Sequence, residues 1–394
     1  MGMKVEREAQ EVVRSLARQY PVVTLIGARQ SGKTTLCRMA FGDRPYYSLE
    51  NPDTREIIES DPVSFLGRHR KTGVILDEIQ NLPMLLSYIQ GIVDEDEMPG
   101  QFILTGSHQF SLMEGITQSL AGRTALIRLL PFTFSETKKF RQLNQPDDYL
   151  LNGFYPGLWS QNLEPTPFYR DYFETYVQRD VRQMLQVKDL RTFRNFVKLC
   201  AGRIGQLFNA SDIGNNLGVS GHTVKSWISV LEASQIIYLM EPFFANLGKR
   251  LIKSPKIYFH DVGLAAYLLG FTAADQLYAD RMRGPLFENM VVSELLKNAC
   301  NRNRDDRMVF YRDKQQHEVD VMFPAGRKYD CIEVKSSATF HKSYLEELRR
   351  FGSAHPEICG TPYLVFCGET GQTVQGVHLL NYRDAGCILP AQIA

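Results

Sequence analysis

The chain has 394 residues, 44% of them hydrophobic and 23% charged, with a formal net charge of +1. These values predict a soluble globular protein of two or three domains, in which any contact with nucleic acid must come from a local basic patch. No apolar run approaches the ~20 residues that span a bilayer, and the seven scattered cysteines, without a CxxC pair, argue against a disulfide framework or a zinc site and for a reducing cytoplasm.

Short apolar runs rich in β-branched residues alternate with helix-like stretches over residues 21–135. Continuous runs of this kind are typical of a parallel sheet that is covered by helices on both faces. The predicted strands are 21–26, 46–49, 73–77, 101–106 and 124–130. We therefore expect an α/β multidomain protein whose first domain covers residues 1–135.

A phosphate-binding motif follows the first predicted strand and opens a helix. Residues 27–34, GARQSGKT, fit the pattern GxxxxGK[ST]. Its glycines let backbone N–H groups surround phosphate oxygens, Lys33 reaches the β- and γ-phosphates, and Thr34 offers its hydroxyl to Mg²⁺. The alternative is a chance glycine-rich turn. The motif predicts ATP and Mg²⁺ as cofactors, and the residues expected to hold the nucleotide are Gly27, Gln30, Ser31, Gly32, Lys33, Thr34 and Thr35.

The third predicted strand delivers two carboxylates to the same edge of the sheet. Val74–Leu76 is followed by Asp77 and Glu78. We expect Asp77 to join Thr34 at the Mg²⁺, and Glu78 to orient and activate the water that attacks the γ-phosphate. An acidic residue that merely ends a strand is the alternative, but its position downstream of a phosphate loop favours the catalytic interpretation.

Two further polar residues of the first domain have open roles. Ser107 follows the strand 102–105 and is either a polar sensor of the γ-phosphate or a hydroxyl that caps the next helix. Arg123, in the segment SLAGR, is either an arginine finger from the same or a neighbouring subunit, or an ordinary surface arginine.

Residues 136–204 are predicted to form a helical lid or linker, and residues 205–282 a winged helix-turn-helix. A short helix, 211–217, a turn at 218–220 and a second helix, 221–233, precede two strands. DNA contact and a plain protein–protein role stay equally open. The residues expected to face a DNA groove are His222, Thr223, Lys225 and Ser226, and those on the wing are Lys249, Arg250 and Lys253.

Residues 283–394 carry carboxylates in an order that predicts a second metal site. Asp320 lies on one strand, and Glu333 and Lys335 lie on one face of the next. Asp320, Glu333 and the carbonyl of Val334 form a hard oxygen site for Mg²⁺, with Lys335 positioning a water to attack a phosphodiester. Glu288, on the preceding helix, adds a direct or indirect metal contact. Solvated strand-edge charges are the alternative. The order of one helix, three strands, a helix and a strand favours a restriction-endonuclease-like fold.

The chain as a whole resembles prokaryotic AAA-type (P-loop) ATPases that carry a C-terminal domain of uncharacterised function. The resemblance rests on segments from GARQSGKTTL and VILDEIQ to SPKIYFHDVGLAAYLLG, GPLFENMVVSEL and EVDVM…IEVKSS. It implies an ATPase, a central winged helix and a C-terminal domain with PD-(D/E)xK nuclease features. Arg179, in QRD, lies in a shared segment without an assigned role. The chain departs from the nuclease signature in one respect, because Asp320 lacks the proline before it that the name of the signature indicates. The implied nucleotide residues are Gly27, Gly32, Lys33, Thr34, Asp77 and Glu78, and the implied nuclease residues are Glu288, Asp320, Glu333 and Lys335.

Three functions are compatible with these patterns. The first is an ATP-hydrolysing machine that acts on DNA, with a metal-dependent nuclease gated by nucleotide state. Assembly of this machine as a homo-oligomer stays open. The second is a nucleotide-dependent switch or scaffold whose C-terminal domain binds a partner without cleavage. A small-molecule kinase ranks last, because it explains neither the C-terminal carboxylates nor the Glu78 beside Asp77.

Overall fold

The structure is a computed structural model. It describes residues 3–96, 98–106, 115–116, 118–177, 189–243, 254–304 and 307–389. The chain divides into two compact units. The first consists of Met1–Phe132, Ala233–Gln235 and Cys300–Arg304, and the second of Thr133–Glu232, Ile236–Ala299 and Asp305–Ala394. The boundaries of the four predicted domains stay a prediction.

A five-stranded sheet forms the centre of the first unit, in the order β2-β3-β4-β1-β5. Every neighbouring pair is parallel, which confirms the sheet type predicted from the apolar runs. All carboxyl ends therefore meet at one edge, where ligands of such sheets bind. The strands are β1 (Val22–Ile26), β2 (Tyr46–Ser48), β3 (Val74–Asp77), β4 (Phe102–Gly106) and β5 (Thr124–Arg128).

Helices of the first unit cover both faces of this sheet. Alternate residues of a strand point to opposite faces, and accordingly Val74 and Leu76 pack in one apolar cluster while Ile75 packs in another. Asn51 and Asp61 cap two of the helices, each followed by a proline at the first helical position. The helices are α1 (Gln10–Ala17), α2 (Lys33–Ala40), α3 (Pro52–Ser60), α4 (Pro62–Arg68) and α5 (Leu85–Glu95), with a 3-10 turn at Ile79–Asn81.

The second unit begins with helices, and the role of residues 136–204 as a lid or linker stays a prediction. Thr133 and Glu136 form a capping box at the start of the first of them. The three that follow all begin with proline, whose fixed φ suits the first turn of a helix. Residues 178–188, including Arg179, lie outside the described residues. The helices are α6 (Phe134–Lys138), α7 (Pro146–Asn152), α8 (Pro156–Ser160), α9 (Pro165–Tyr172), continued by a π turn at Phe173–Val177, and α10 (Leu190–Ala201).

A helix-turn-helix and a β-hairpin occupy the predicted positions. The helices α11 (Ala210–Leu217) and α12 (Gly221–Ala233) are joined by a turn in which Gly218 has a φ of 69°, a conformation that favours glycine. Strands β6 (Ile237–Pro242) and β7 (Lys256–Phe259) are antiparallel. Four apolar residues of α12 are buried, namely Val224, Trp227, Ile228 and Leu231. The wing residues Lys249, Arg250 and Lys253 lie outside the described residues.

The remaining strands extend this hairpin into one eight-stranded sheet, in the order β12-β13-β11-β10-β9-β8-β6-β7. Strand β6 pairs with β8 through Glu241 and Pro242, so the hairpin and the C-terminal strands share a single hydrogen-bonded sheet. The strands are β8 (Val309–Arg312), β9 (Glu318–Ala325), β10 (Lys328–Lys335), β11 (Cys359–Phe366), β12 (Gln372–Val374) and β13 (Val377–Asn381).

Residues 283–394 follow the predicted order of one helix, three strands, a helix and a strand, with two differences. The helix predicted after the third strand is a 3-10 turn, Lys342–Leu345, followed by an α-helix, Glu346–Ala354. Strands β12 and β13 have no counterpart in the prediction. The helices are α13 (Val262–Leu269), α14 (Asp275–Tyr278), α15 (Arg283–Asn301) and α16 (Glu346–Ala354), with a 3-10 turn at Tyr382–Ile388. No helix among the described residues combines the length and the apolar composition that crossing a bilayer requires.

Candidate functional site

The phosphate loop connects β1 to α2 in a backbone conformation that depends on its glycines. Gly32, immediately before α2, has a φ of 93°, and Gln30 has a φ of 60°. A Cβ atom on Gly27 would lie 2.3 Å from the carbonyl oxygen of Leu129, a separation that no side chain tolerates. Ser31 is buried and its hydroxyl has no hydrogen-bond partner among the protein atoms, while Thr35 is half-buried on α2. The loop therefore has the shape that the motif predicts.

Lys33 is folded back onto this loop. Its ammonium donates to the carbonyl oxygens of Gly27 and Ala28, each at 2.9 Å. Burial lowers the pKa of Lys33 to about 8, although the carboxylates of Glu78 and Asp77 oppose the shift. An anionic phosphate in the loop would counter this burial penalty and favour the charged ammonium.

Asp77 ends β3 and accepts hydrogen bonds from three hydroxyl groups. The Thr34 hydroxyl donates at 2.9 Å and the Tyr46 hydroxyl at 2.6 Å. The hydroxyl of Thr105, on the neighbouring strand β4, is the third donor. A carboxylate and a threonine hydroxyl in direct contact, beside a phosphate loop, are the donor set that holds Mg²⁺ in P-loop proteins. The structure thus brings Thr34 and Asp77 together, and it adds Tyr46 and Thr105, which the sequence did not single out.

Glu78 has a backbone conformation that is rare for a residue with a side chain. Its φ is 58°, and its N–H donates to the Thr105 hydroxyl at 3.1 Å. Its carboxylate accepts a hydrogen bond from the Gln80 side chain. Non-glycine residues with positive φ persist where the surrounding contacts hold them, and they are concentrated at functional sites. Glu78 is therefore held in a fixed orientation next to Asp77.

Arg123 and Ser107, whose roles the sequence left open, are not among the described residues that contact the phosphate loop or Asp77. The Arg123 guanidinium pairs with Asp94 of α5, with one N–H donating at 3.0 Å. Its partner is therefore an acidic surface residue and not the phosphate loop. Ser107 lies outside the described residues, so its role as a sensor stays a prediction.

Arg7 holds the backbone of the phosphate loop through hydrogen bonds. Its guanidinium donates to the carbonyl oxygens of Ser31 at 2.7 Å and Leu130 at 2.8 Å, and it lies 4.9 Å from the centre of the Phe132 ring. The side chain is buried. It thereby connects the loop to the segment that follows β5.

We expect Arg7→Ala to lower the free energy of unfolding by about 2–4 kcal/mol, because two buried carbonyl oxygens lose charged donors and the arginine stem loses its packing. Urea unfolding measures this change, and nucleotide binding should weaken with it. Lys4→Ala, at an exposed position nearby, is the control and should stay within about 0.5 kcal/mol of the parent. Equal stability of the two variants would contradict the bracing role of Arg7.

Asp320 and Glu333 lie on the adjacent antiparallel strands β9 and β10. The last paired residues of this ladder are Val321 and Ile332, so the two carboxylates follow one residue beyond it. Asp320 accepts a hydrogen bond from the Val334 N–H at 2.9 Å. Lys335 donates to Glu333 at 2.5 Å. The structure therefore brings Asp320, Glu333 and Lys335 together, as the alternation of the strands predicted.

A second group of charged residues lies beside this pair. The Tyr258 hydroxyl donates to Glu288 at 2.5 Å, and the fully buried Lys256 ammonium lies 3.5 Å from the same carboxylate. Lys256 also forms an ion pair with Glu318 at 2.5 Å. Burial and the nearby Asp320 carboxylate raise the pKa of Glu288, although Lys256 opposes the shift. Sequence reasoning missed Lys256, Tyr258 and Glu318.

Glu333 has an oxygen that suits a cation. Its Oε2 atom is buried and has no hydrogen-bond partner among the protein atoms. Burial and the nearby negative charge of Asp320 raise the pKa of Glu333. Such a shift is expected where two carboxylates lie close together and nearby positive charges do not balance them. The described residues contain no group of three or more His, Cys, Asp or Glu side chains that could hold a metal ion. A metal here would depend on the two carboxylates of Asp320 and Glu333 with main-chain oxygen and water.

Comparisons with known families agree with the geometry of the first site. Residues 19–138 match the family described as AAA domain. Residues 143–275 and 283–384 match two families described as Domain of unknown function, DUF8612 and DUF4143. The first unit therefore contains an AAA-type P-loop ATPase domain, and the ATPase part of the resemblance is confirmed.

Relatives extend this likeness beyond the ATPase domain. Uncharacterized protein Rv2008c of Mycobacterium tuberculosis and Uncharacterized protein Mb2031c of Mycobacterium bovis are each 30% identical over 339 residues, which cover 84% of this chain and 74% of the relative. The chain belongs to the protein family of these two mycobacterial proteins. Uncharacterized protein MJ1544 of Methanocaldococcus jannaschii is 23% identical over 346 residues, covering 79% of this chain and 74% of that protein.

Among solved structures, a Walker-type ATPase of Pyrococcus abyssi is similar to the chain. It is 16% identical, with a TM-score of 0.44, over 66% of this chain and 94% of that one. The nuclease-like character of the C-terminal domain and the winged-helix character of the middle region stay predictions.

Proposed function

We propose that the protein is an ATP-hydrolysing AAA-type machine that acts on DNA and carries a metal-dependent nuclease site in its C-terminal domain. The observation that carries the C-terminal part is the arrangement at the end of β10, where Asp320 accepts from the Val334 N–H, Lys335 donates to Glu333, and the second oxygen of Glu333 is buried without a hydrogen-bond partner among the protein atoms. Bound Mg²⁺ would supply positive charge to phosphate oxygens at each of the two sites.

ATP hydrolysis is supported by the arrangement around β3. Lys33 and the loop N–H groups would bind the phosphates, and Thr34 with Asp77 would hold the metal ion. Glu78, held by Gln80 and Thr105, would accept a proton from the attacking water. The hydrogen bonds to Gln80 and Thr105 would keep this base oriented when the nucleotide binds.

Phosphodiester cleavage is supported by the chemistry of the second site. The carboxylates of Asp320 and Glu333 would bind a cation, and the Lys335 ammonium would leave Glu333 to position a water and to stabilise charge on the phosphate. Although Lys335 is partly buried, the carboxylates of Asp320 and Glu333 raise its pKa. The ammonium would therefore be charged in the apo protein and would act first as an electrostatic group.

Contact with DNA is supported by the exposed face of α12. His222, Lys225 and Ser226 are exposed and Thr223 is half-buried, with its hydroxyl 2.8 Å from that of Ser220. These residues precede a β-hairpin, as they do in winged helix-turn-helix domains that place this second helix in the major groove. Lys225 offers a phosphate contact, and the others offer hydrogen bonds.

Cleavage of labelled linear, branched and single-stranded DNA in Mg²⁺ or Mn²⁺, with and without ATP, tests the proposal. We expect Lys335→Ala to lower the rate about 100-fold or more, as loss of a single charge-stabilising group does in other active sites. Lys328→Ala is the matched control, because Lys328 is an exposed lysine at the other end of β10 and should leave cleavage unchanged.

Cleavage that survives the double change Asp320→Ala with Glu333→Ala would show that the assigned site is wrong. Absence of cleavage on every substrate, with ATP still bound, would favour the switch or scaffold function. In that case ATP should change the oligomer size, which sedimentation measures. Dependence of cleavage on ATP would show that the two activities are coupled.

A further inference from the structure

Two thiols meet on neighbouring strands of the C-terminal sheet. Cys331 lies on β10 and Cys359 begins β11, and their sulfur atoms are 3.6 Å apart. The regular register of these parallel strands is interrupted between Tyr329 and Cys331. In a disulfide the two sulfur atoms are about 2.05 Å apart. The sulfurs of Cys331 and Cys359 would therefore have to approach each other by roughly 1.5 Å, through rotation of both side chains.

Only one of the two sulfurs is open to reagents. Cys331 is buried, whereas Cys359 is half-buried and lines a groove of about 390 Å³. Leu348, Gly352 and Pro362 form the apolar part of this groove, and Arg349 and Gln375 its polar part. A small oxidant can therefore reach Cys359 from solvent, while Cys331 is reached only through its partner.

The surroundings of Cys359 favour its thiolate. A hydrogen bond between the two thiols lowers the pKa of Cys359, Lys328 adds to this shift, and both burial and Asp330 oppose it. The accessible sulfur is therefore the one whose thiolate is favoured, and the buried Cys331 sulfur lies 3.6 Å from it, which is the arrangement of an attacking and a resolving thiol.

We propose that Cys359 is a peroxide-reactive thiol and Cys331 its resolving partner, so that oxidation joins β10 to β11 by a disulfide. The Cys359 sulfur attacks a peroxide, forms an S–O bond and breaks the O–O bond, which releases an alcohol or water. The Cys331 sulfur then attacks the resulting sulfenic acid, forms the S–S bond and releases water. Two thiols lose two electrons and two protons in total, and the peroxide gains them.

This disulfide would lie close to the second candidate site. Glu333 is two residues beyond Cys331 on β10 and pairs with Leu364 of β11. A covalent bond between the two strands would change the position or the mobility of that carboxylate. The inference itself does not depend on the proposed nuclease activity, because its readout is the state of the sulfurs.

Treatment of the full chain with one equivalent of hydrogen peroxide, followed by alkylation and mass spectrometry, tests the inference. We expect a bond between Cys331 and Cys359 that dithiothreitol reverses. In Cys331→Ser we expect a sulfenic acid at Cys359 that dimedone traps, and in Cys359→Ser we expect neither product. Oxidation of Cys359 should be at least about 10-fold faster than that of Cys387, the most exposed cysteine.

Cys387→Ser is the control and should oxidise like the parent, and circular dichroism checks that each variant is folded. Equal trapping by dimedone in the parent and in Cys331→Ser would contradict a resolving role for Cys331. Reaction of Cys387 or Cys367 ahead of Cys359 would overturn the proposal. Because none of these readouts uses DNA or ATP, failure here leaves the proposed function standing, and the reverse also holds.

Discussion

Glu78→Gln should lower the rate of ATP hydrolysis about 100- to 1000-fold and leave ATP binding nearly unchanged. The amide keeps the size of the carboxylate and its contact with Gln80, but it cannot accept a proton from the attacking water. Lys33→Ala should instead abolish binding, because the phosphates lose their only ammonium in the loop. Fluorescent-nucleotide binding and phosphate release, measured on both variants, separate the two effects.

The control for this pair is Glu59→Gln, a surface glutamate of α3, which should hydrolyse ATP at the parental rate. If Glu78→Gln hydrolysed at that rate as well, the general base would have to be another group. Loss of binding in Glu78→Gln would mean that Glu78 shapes the loop. Since many AAA domains complete their sites between subunits, each assay should be repeated over a range of protein concentrations.

Asp261→Ala should have the largest effect on stability, with a loss of about 3–5 kcal/mol in the free energy of unfolding. Its buried carboxylate accepts from the Phe154 N–H at 2.7 Å, the Tyr169 hydroxyl at 2.6 Å and the Leu264 N–H at 3.0 Å. Removal leaves these donors buried without an acceptor, and it also removes the cap of α13. Urea unfolding measures the loss.

Two further variants sharpen this prediction. Asp261→Asn keeps one acceptor oxygen and should lose only about 1–3 kcal/mol. Asp275→Ala, an exposed aspartate in the first turn of α14, should stay within about 0.5 kcal/mol of the parent. A loss below about 1 kcal/mol in Asp261→Ala would show that water replaces the carboxylate at this position.

The central sheet of the ATPase domain could be predicted from the sequence because its strands β1, β3 and β4 are buried on both faces and consist of apolar runs. The phosphate loop could be predicted because its glycines and lysine act locally, within eight residues. Asp77 could be predicted because it ends a buried apolar strand downstream of the phosphate loop, and the carboxyl ends of parallel strands meet at one edge of the sheet. Tyr46 and Thr105 were missed, because their contacts with Asp77 depend on which strands become neighbours, and a hydroxyl in a strand carries no signal of its own.

The C-terminal site was predictable only in part. Strand alternation placed Glu333 and Lys335 on one face, and the hairpin between β9 and β10 brought Asp320 beside them. Lys256 and Tyr258 come from β7, and they reach Glu288 only because the hairpin lies within the unit that holds the C-terminal sheet. The strands β12 and β13 were missed because they are short and because Gln372 and His378 interrupt their apolar pattern.

The pairing of β6 with β8 has a consequence for how the protein is made. About 70 residues separate Glu241 from its partner Val309, so at roughly 5–20 residues per second the ribosome needs about 3–14 s to supply the second strand. During that interval one edge of β6 lacks its neighbour, and unpaired edges invite association with other chains. The emerging polypeptide is therefore expected to need protection by a chaperone at this stage, and synthesis at low temperature should raise the yield of soluble protein.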